Sequence, residues 1–228
     1  MSLFSFGRKP PSGPVEPEGL SGPEAREAWQ LFGLRAGPAH RRTRFARLAE
    51  LLPRLTVDDC VAIGLLKRPD DRFHVGSFGA TADGSGAGTL CFTVSPEGRH
   101  RALAWTPDGG DGSDLWVDGH PVDGPRDADG LLPLDGAGDW CGERVYLAAF
   151  EPEEHPLQDW SVAFSRGVQR GALLVDAATG RQWAELPGAD ELWSDPIGIE
   201  AGGTLRLYAD AASRDAGRVA RHVPLDGG

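Results

Sequence analysis

The sequence is poor in cysteine: three residues, Cys60, Cys91 and Cys141, in a chain of 228. They lie far apart, no C-x-x-C occurs and the count is odd, so neither a zinc knuckle nor a disulfide framework is indicated. Buried free thiols in a reducing compartment are expected, and the cytoplasm is the default location. Long apolar runs are missing too. No stretch reaches the roughly 18 apolar residues that cross a bilayer, so no membrane span is expected. The opening MSLFSFGRKPP has no apolar core of signal-peptide length. Positive charge is scarce, with 23 Lys and Arg against 34 Asp and Glu, a net charge of −11 and a pI near 4.9. Binding nucleic acid through its phosphates needs a basic footprint, which excludes nucleic acid as the expected partner of the whole chain.

Catalytic signatures are absent as well. There is no G-x-S-x-G nucleophile elbow and no phosphate-binding G-x-x-x-x-G-K-[ST]. There is no H-E-x-x-H, and GSGAG at 84–88 has the wrong spacing for a dinucleotide fingerprint. His74, His100, His120, His155 and His222 are scattered. Glu151-Pro152-Glu153-Glu154-His155 holds acid–base groups, but it follows a strand pattern directly and reads equally as an exposed loop. An enzyme is therefore not the leading expectation.

Turn formers are plentiful. Glycine at 32 and proline at 18 signal many turns, hence many short strands. Residues 1–22, with Pro10, Pro11, Pro14 and Pro17 beside Gly13, Gly19 and Gly22, have little to bury and read as a flexible tail. Residues 23–70 read as a helical segment. Ser21-Gly22-Pro23-Glu24 is a cap followed by proline in the first turn, and the helix it opens runs to about Leu34. A second helix is expected from about His40 to Leu55, with Phe45, Leu48, Leu51, Leu52 and Leu55 as one apolar stripe and Pro53 near its end. Thr56-Val57-Asp58-Asp59 supplies a cap and first-turn acids for a third helix reaching Leu66.

From Arg72 the apolar period changes to two, and residues 71–228 read as an antiparallel β body. Leu90, Phe92 and Val94 alternate on one face. Further strands are expected at Arg101 to Trp105, Val145 to Phe150, Ser161 to Phe164, Ala172 to Val175, Gln182 to Leu186, Thr204 to Ala209 and Arg218 to Val223. Ser95-Pro96-Glu97-Gly98, Asp118-Gly119 and Asp176 to Gly180 are hairpin turns. The fold class is mainly β: a many-stranded antiparallel body, whether sandwich, open barrel or short propeller-like array, behind a small N-terminal helical segment.

Two groups of residues stand out as candidate sites. Gly109 to Val117, GGDGSDLWV, fits the nine-residue calcium repeat, but that repeat works in tandem and the next nine residues do not match. Residues 101 to 140 nevertheless hold nine aspartates against two arginines. Calcium takes six to eight oxygen ligands in irregular loops, so Asp108, Asp111 and Asp114 are the candidate metal ligands, with calcium the one cofactor the sequence admits. The competing reading is that aspartate and glycine simply build turns and keep strand edges from pairing. The second group is basic. Residues 23–55 carry a net charge of +4 and residues 56–228 a net −15. Arg41, Arg42, Arg44 and Arg47 cluster on the second helix, placed to meet an acidic partner, the protein's own β body, or solvent. Six of the seven tryptophans fall in the β body, as core residues or as a platform for a ligand.

Val94-Ser95-Pro96-Glu97-Gly98-Arg99 resembles the strand–turn–strand of β-propeller blades. Leu173 to Arg181, LLVDAATGR, resembles the D-x-x-T-G-[KR] hairpin of quinoprotein-like blades. The resemblance implies stacked antiparallel meanders that serve as a binding platform, and it carries over no catalytic residue. Residues 72–228 would make about four blades at the usual ~40 residues each. Taken together, a non-enzymatic binding or scaffold module with a protein partner is the leading expectation. A metal-dependent hydrolase built on the Asp-rich loops and an acidic inhibitor or immunity-type protein are the alternatives.

Overall fold

The computed structural model describes residues 16–33, 41–78, 87–109, 112–124, 126, 130–134, 138–152 and 169–225. Among the described residues three antiparallel sheets follow one another along the chain, each a simple meander. The first joins β1 (Phe73–Phe78), β2 (Gly88–Val94), β3 (Arg101–Pro107), β4 (Asp114–Val117) and β5 (His120–Pro121). The second joins β6 (Asp139–Trp140), β7 (Val145–Phe150), β8 (Gly171–Asp176) and β9 (Gln182–Glu185). The third joins β10 (Ile197–Ala201), β11 (Thr204–Tyr208) and β12 (Arg221–Pro224). Among the described residues no sheet closes into a barrel. The strand expected at Ser161 to Phe164 lies outside the described residues.

Among the described residues three α-helices precede the sheets: α1 (Pro23–Gly33), α2 (Arg41–Leu51) and α3 (Val57–Ile63). A short α4 (Ala211–Asp215) lies between β11 and β12. The second helix is shorter than its apolar stripe implies. At Leu52–Arg54 it tightens into a 3-10 turn, because Pro53 has no N–H for the α ladder. The third ends at Ile63 rather than Leu66. Gly64 adopts φ +95° and caps it in the left-handed region, a conformation glycine enters without a Cβ penalty.

Burial sorts the sheets into layers. The α1–α3 helices cover one face of the first sheet: Phe45, Leu48, Leu51 and Leu52 pack on Leu90, Phe92, Leu103, Trp105 and Trp116. Phe45 and Phe78 place their rings 4.7 and 5.8 Å from Trp105. The opposite face of the first sheet presents small residues, Ala102 and Ala104, beside Leu115 and Val117. They admit Tyr146, Phe150, Leu173 and Val175 of the second sheet, large against small as dense packing requires. The far face of the second sheet, with Val145, Leu147, Ala172 and Leu174, packs on Leu205, Leu207 and Val223 of the third. Strands β7 and β8 are thus covered on both faces and are buried almost throughout, whereas β11 and β12 alternate.

Polar groups tie the layers at their ends. The Ser95–Gly98 turn closes with Gly98 N–H donating to Ser95 O at 2.9 Å. That turn cradles Glu143 of the β6–β7 connection, which accepts from Ser95 Oγ and Glu97 N at 2.6 Å each and from Arg99 N at 3.2 Å. Burial would push the Glu143 carboxyl up; these donors outweigh it and hold it below its ordinary value. In the second sheet Asp176, 2% exposed, takes a two-pronged ion pair from Arg144 at 2.7 and 2.5 Å. The segment expected to be free tail is anchored at its end. Leu20 packs on the helical core, and Ser21 donates its N–H and Oγ to Asp59 at 2.8 and 2.7 Å.

Candidate functional site

Of the three sequence-derived metal ligands, Asp108 and Asp114 fall among the described residues. Asp108 sits exposed in the turn after β3, where its N–H donates to Ala87 O at 2.9 Å. Asp111 lies outside the described residues. Asp114 opens β4 and is buried. The described residues contain no group of three or more His, Cys, Asp or Glu placed to hold an ion. The GGDGSDLWV stretch does lead into a hairpin: Asp118 (φ +46°) and Gly119 (φ +82°) form the two-residue turn between β4 and β5.

The basic cluster is described at Arg44, which is half-buried, and at Arg47, which is exposed. Arg41 and Arg42 lie on the α2 backbone, their side chains outside the described residues. Arg44 donates to Leu31 O near the end of α1. Arg47 bridges α1 and α2, donating to Glu27 at 2.8 and 3.2 Å and to Glu50 at 2.6 Å. Arg47 thus pairs with glutamates of the helical layer and not with the β body.

Clefts open between the layers. One, about 390 Å³, lies between α2 and β4–β5, with Thr43, Ala46, Glu50, Asp114, Trp116 and Arg126 on its walls. A second, about 270 Å³, lies where β6 meets β10, with Asp139, Trp140, Cys141, Asp195 and Ile197. Cys141 is no nucleophile there: burial pushes its thiol up to about 12. A third, about 200 Å³, separates β9 from β12. Beside it Arg181 stacks over Trp183 at 4.8 Å, and Arg221 is held by Glu191 at 2.7 and 2.9 Å.

Among the described residues four large apolar side chains are exposed: Leu186 after β9, Ile199 on β10, and a pair on β1. Phe73 is 52% exposed and Val75 42%. Both point to one face, while His74, Gly76 and Phe78 turn to the other, and Phe78 joins the helical core. The reason is an overhang. Strand β6, the edge of the second sheet, is two residues long and covers β2, where Trp140 Nε1 donates to Thr93 Oγ1 at 3.2 Å. Strand β1 lies beyond it. One edge of β1 pairs with β2 from Phe73↔Thr93 to Phe78↔Gly88; along its other edge no ladder forms among the described residues. The segment FHVGSF carries no Asp, Glu, Lys, Arg or Pro, the devices that usually blunt an edge strand.

Sequence reasoning passed over Phe73, Val75, Glu50 and Arg126. A signal for the first pair was present, since FHVGSF places apolar residues on both faces of one strand. Nothing in the sequence marked that one face would lack a covering layer. The tryptophans divide: Trp105, Trp116 and Trp193 are buried, and Trp140 and Trp183 are partly buried at sheet edges. Glu151 pairs with Arg170 at 2.9 Å, and residues 153–155 lie outside the described residues.

No protein-family model, no curated protein and no solved structure matches the chain. No described helix is long and apolar enough to cross a membrane.

Proposed function

We propose that the protein is a binding module for another protein and that it takes an extended segment of its partner along β1. The observation that carries this reading is the pair Phe73 and Val75, exposed side by side on a strand whose second edge forms no ladder among the described residues. An added strand gains main-chain hydrogen bonds from such an edge, and alternate side chains give it specificity. The partner segment is extended, with apolar side chains at alternate positions that cover Phe73 and Val75. A net charge of −11 favours encounter with a basic partner.

Selection from a library of extended peptides, followed by affinity measurement, tests the proposal. Binders are expected to lose at least about tenfold in affinity to Phe73→Ser with Val75→Ser, and again when alternate peptide nitrogens are methylated. Peptides that bind both proteins equally, or that tolerate methylation, would place recognition elsewhere.

A further inference from the structure

We propose that the segment Ser2 to Gly7 of this same chain, SLFSFG, lies along the second edge of β1 as an added strand, and that a partner must displace it to bind; the displacement rests on the binding reading above. Residues 1–15 lie outside the described residues. The described chain begins at the end of the first sheet where β1 also begins. Glu16 pairs with Arg26 of α1 at 2.9 Å. Ser21 is held on Asp59, in the first turn of α3, at 2.8 and 2.7 Å. Val57, in the same helical turn, lies near the β2–β3 turn, where a Cβ on Gly98 would come within 4.0 Å of it. Pro96 O in that turn accepts from Arg72 Nε at 3.2 Å, and Arg72 leads directly into Phe73. The connector, residues 8–15, spans roughly 25 Å at the extension its prolines favour, the breadth of several neighbouring strands. A segment that meets β1 at its Phe73 end and runs back toward Phe78 has a chain direction antiparallel to β1.

The residue pattern selects one register. Val94 N–H donates to Arg72 O at 2.8 Å. By the alternation of an antiparallel ladder, His74 and Gly76 then bond to β2, while Phe73, Val75 and Ser77 turn their N–H and C=O groups to the other edge. Opposed residues of an antiparallel pair share a face. Phe4 and Phe6 alternate with Ser5 and Gly7, so Phe6 opposite Phe73 puts Phe4 opposite Val75 and Ser2 opposite Ser77. Each exposed apolar side chain of β1 gains an aromatic neighbour on its own face. Leu3 turns to the other face and comes opposite Gly76, which has no side chain to obstruct it. A slip of two residues either way sets Ser2 against Val75 or Arg8 against Phe73. Neither SLFSFG nor FHVGSF carries a charge, so the pairing strips no ion of water. Pro10 and Pro11, with no N–H to give a ladder, stop the strand from running further. The short tether raises the effective concentration of the segment to the millimolar range, so even a weak strand pairing is populated.

The test is amide hydrogen exchange, read by NMR on the full-length chain and on its Phe4→Ser, Phe6→Ser double variant. The N–H groups of Phe73, Val75 and Ser77 are expected to exchange at least about tenfold more slowly in the wild type, at a rate independent of protein concentration. Peptides selected on the double variant should bind it at least about tenfold more tightly than the wild type, because the tail no longer occupies the edge. Equal exchange at these three groups in both proteins overturns the docking. Protection that grows with protein concentration assigns the edge to a second copy and overturns it too. Peptides that bind both proteins equally overturn the displacement. Protection lost in the variant, with no peptide binding either protein, upholds the docked tail and overturns the partner reading instead.

Discussion

Replacing Asp59 with asparagine should destabilise the protein by about 2 kcal/mol at neutral pH, and the loss should fade in acid. Asp59 is 1% exposed and accepts four hydrogen bonds: Ser21 N at 2.8 Å, Ser21 Oγ at 2.7 Å, Thr56 N at 2.9 Å and Thr56 Oγ1 at 2.7 Å. Thr56 Oγ1 also receives Asp59 N–H at 3.0 Å, completing the capping box of α3. Burial by itself would raise the carboxyl; the Ser21 and Thr56 donors outweigh it and bring it from 3.8 to about 2. At about 1.4 kcal/mol per pKa unit, that difference corresponds to the figure above. The sign follows from the folded group being the stronger acid. Its contribution is complete above the unfolded pKa, near 4, and is lost as pH falls through the folded value near 2. Urea unfolding of the wild type and Asp59→Asn at a series of pH values from 7 down to 2.5 reads it directly. The gap between the two proteins should narrow steadily below pH ~4. A gap that is the same at pH 7 and 2.5 would refute the assignment of this energy to the ionised carboxylate.

Two further substitutions probe the stack of sheets. Arg144→Met leaves the buried Asp176 carboxylate without its two-pronged partner and should cost about 3–5 kcal/mol in urea unfolding, with part of the loss recovered by adding Asp176→Leu; a single variant within experimental error of wild type would show the pair to be dispensable. Gly198→Ala drives a Cβ into Cys141 Sγ and the Leu147 side chain, where the second and third sheets meet. It should cost about 1–3 kcal/mol, and Cys141→Ala should relieve it; the absence of relief would place the strain elsewhere.

How far the fold was legible follows from the reach of each signal. The Leu90, Phe92, Val94 alternation, the Asp118-Gly119 turn and the Thr56–Asp59 cap are local, and each appears where its pattern put it. Gly180 at φ +71° closes the hairpin that LLVDAATGR implied. Helix ends were less legible, because the tightening at Pro53 and the glycine stop at Gly64 compete with a stripe that continues past them.

The amino-acid sequence by itself determined a helical segment, a run of antiparallel hairpins and thiols that do not pair. Those features rest on contacts between neighbours in the chain and on side-chain period, and need no knowledge of what lies across the core. Only the tertiary structure decided how the meanders stack. It put small Ala102 and Ala104 against large Tyr146 and Phe150, and among the described residues it left the edge strand β6 of the second sheet two residues long. From that mismatch in width came the uncovered face of Phe73 and Val75. From the covering of Leu115 and Val117 came the turning of Asp114 toward α2 and Arg126. Alternation states that two faces differ, but the layers that pack on each side decide which face is buried and which is left open to a partner.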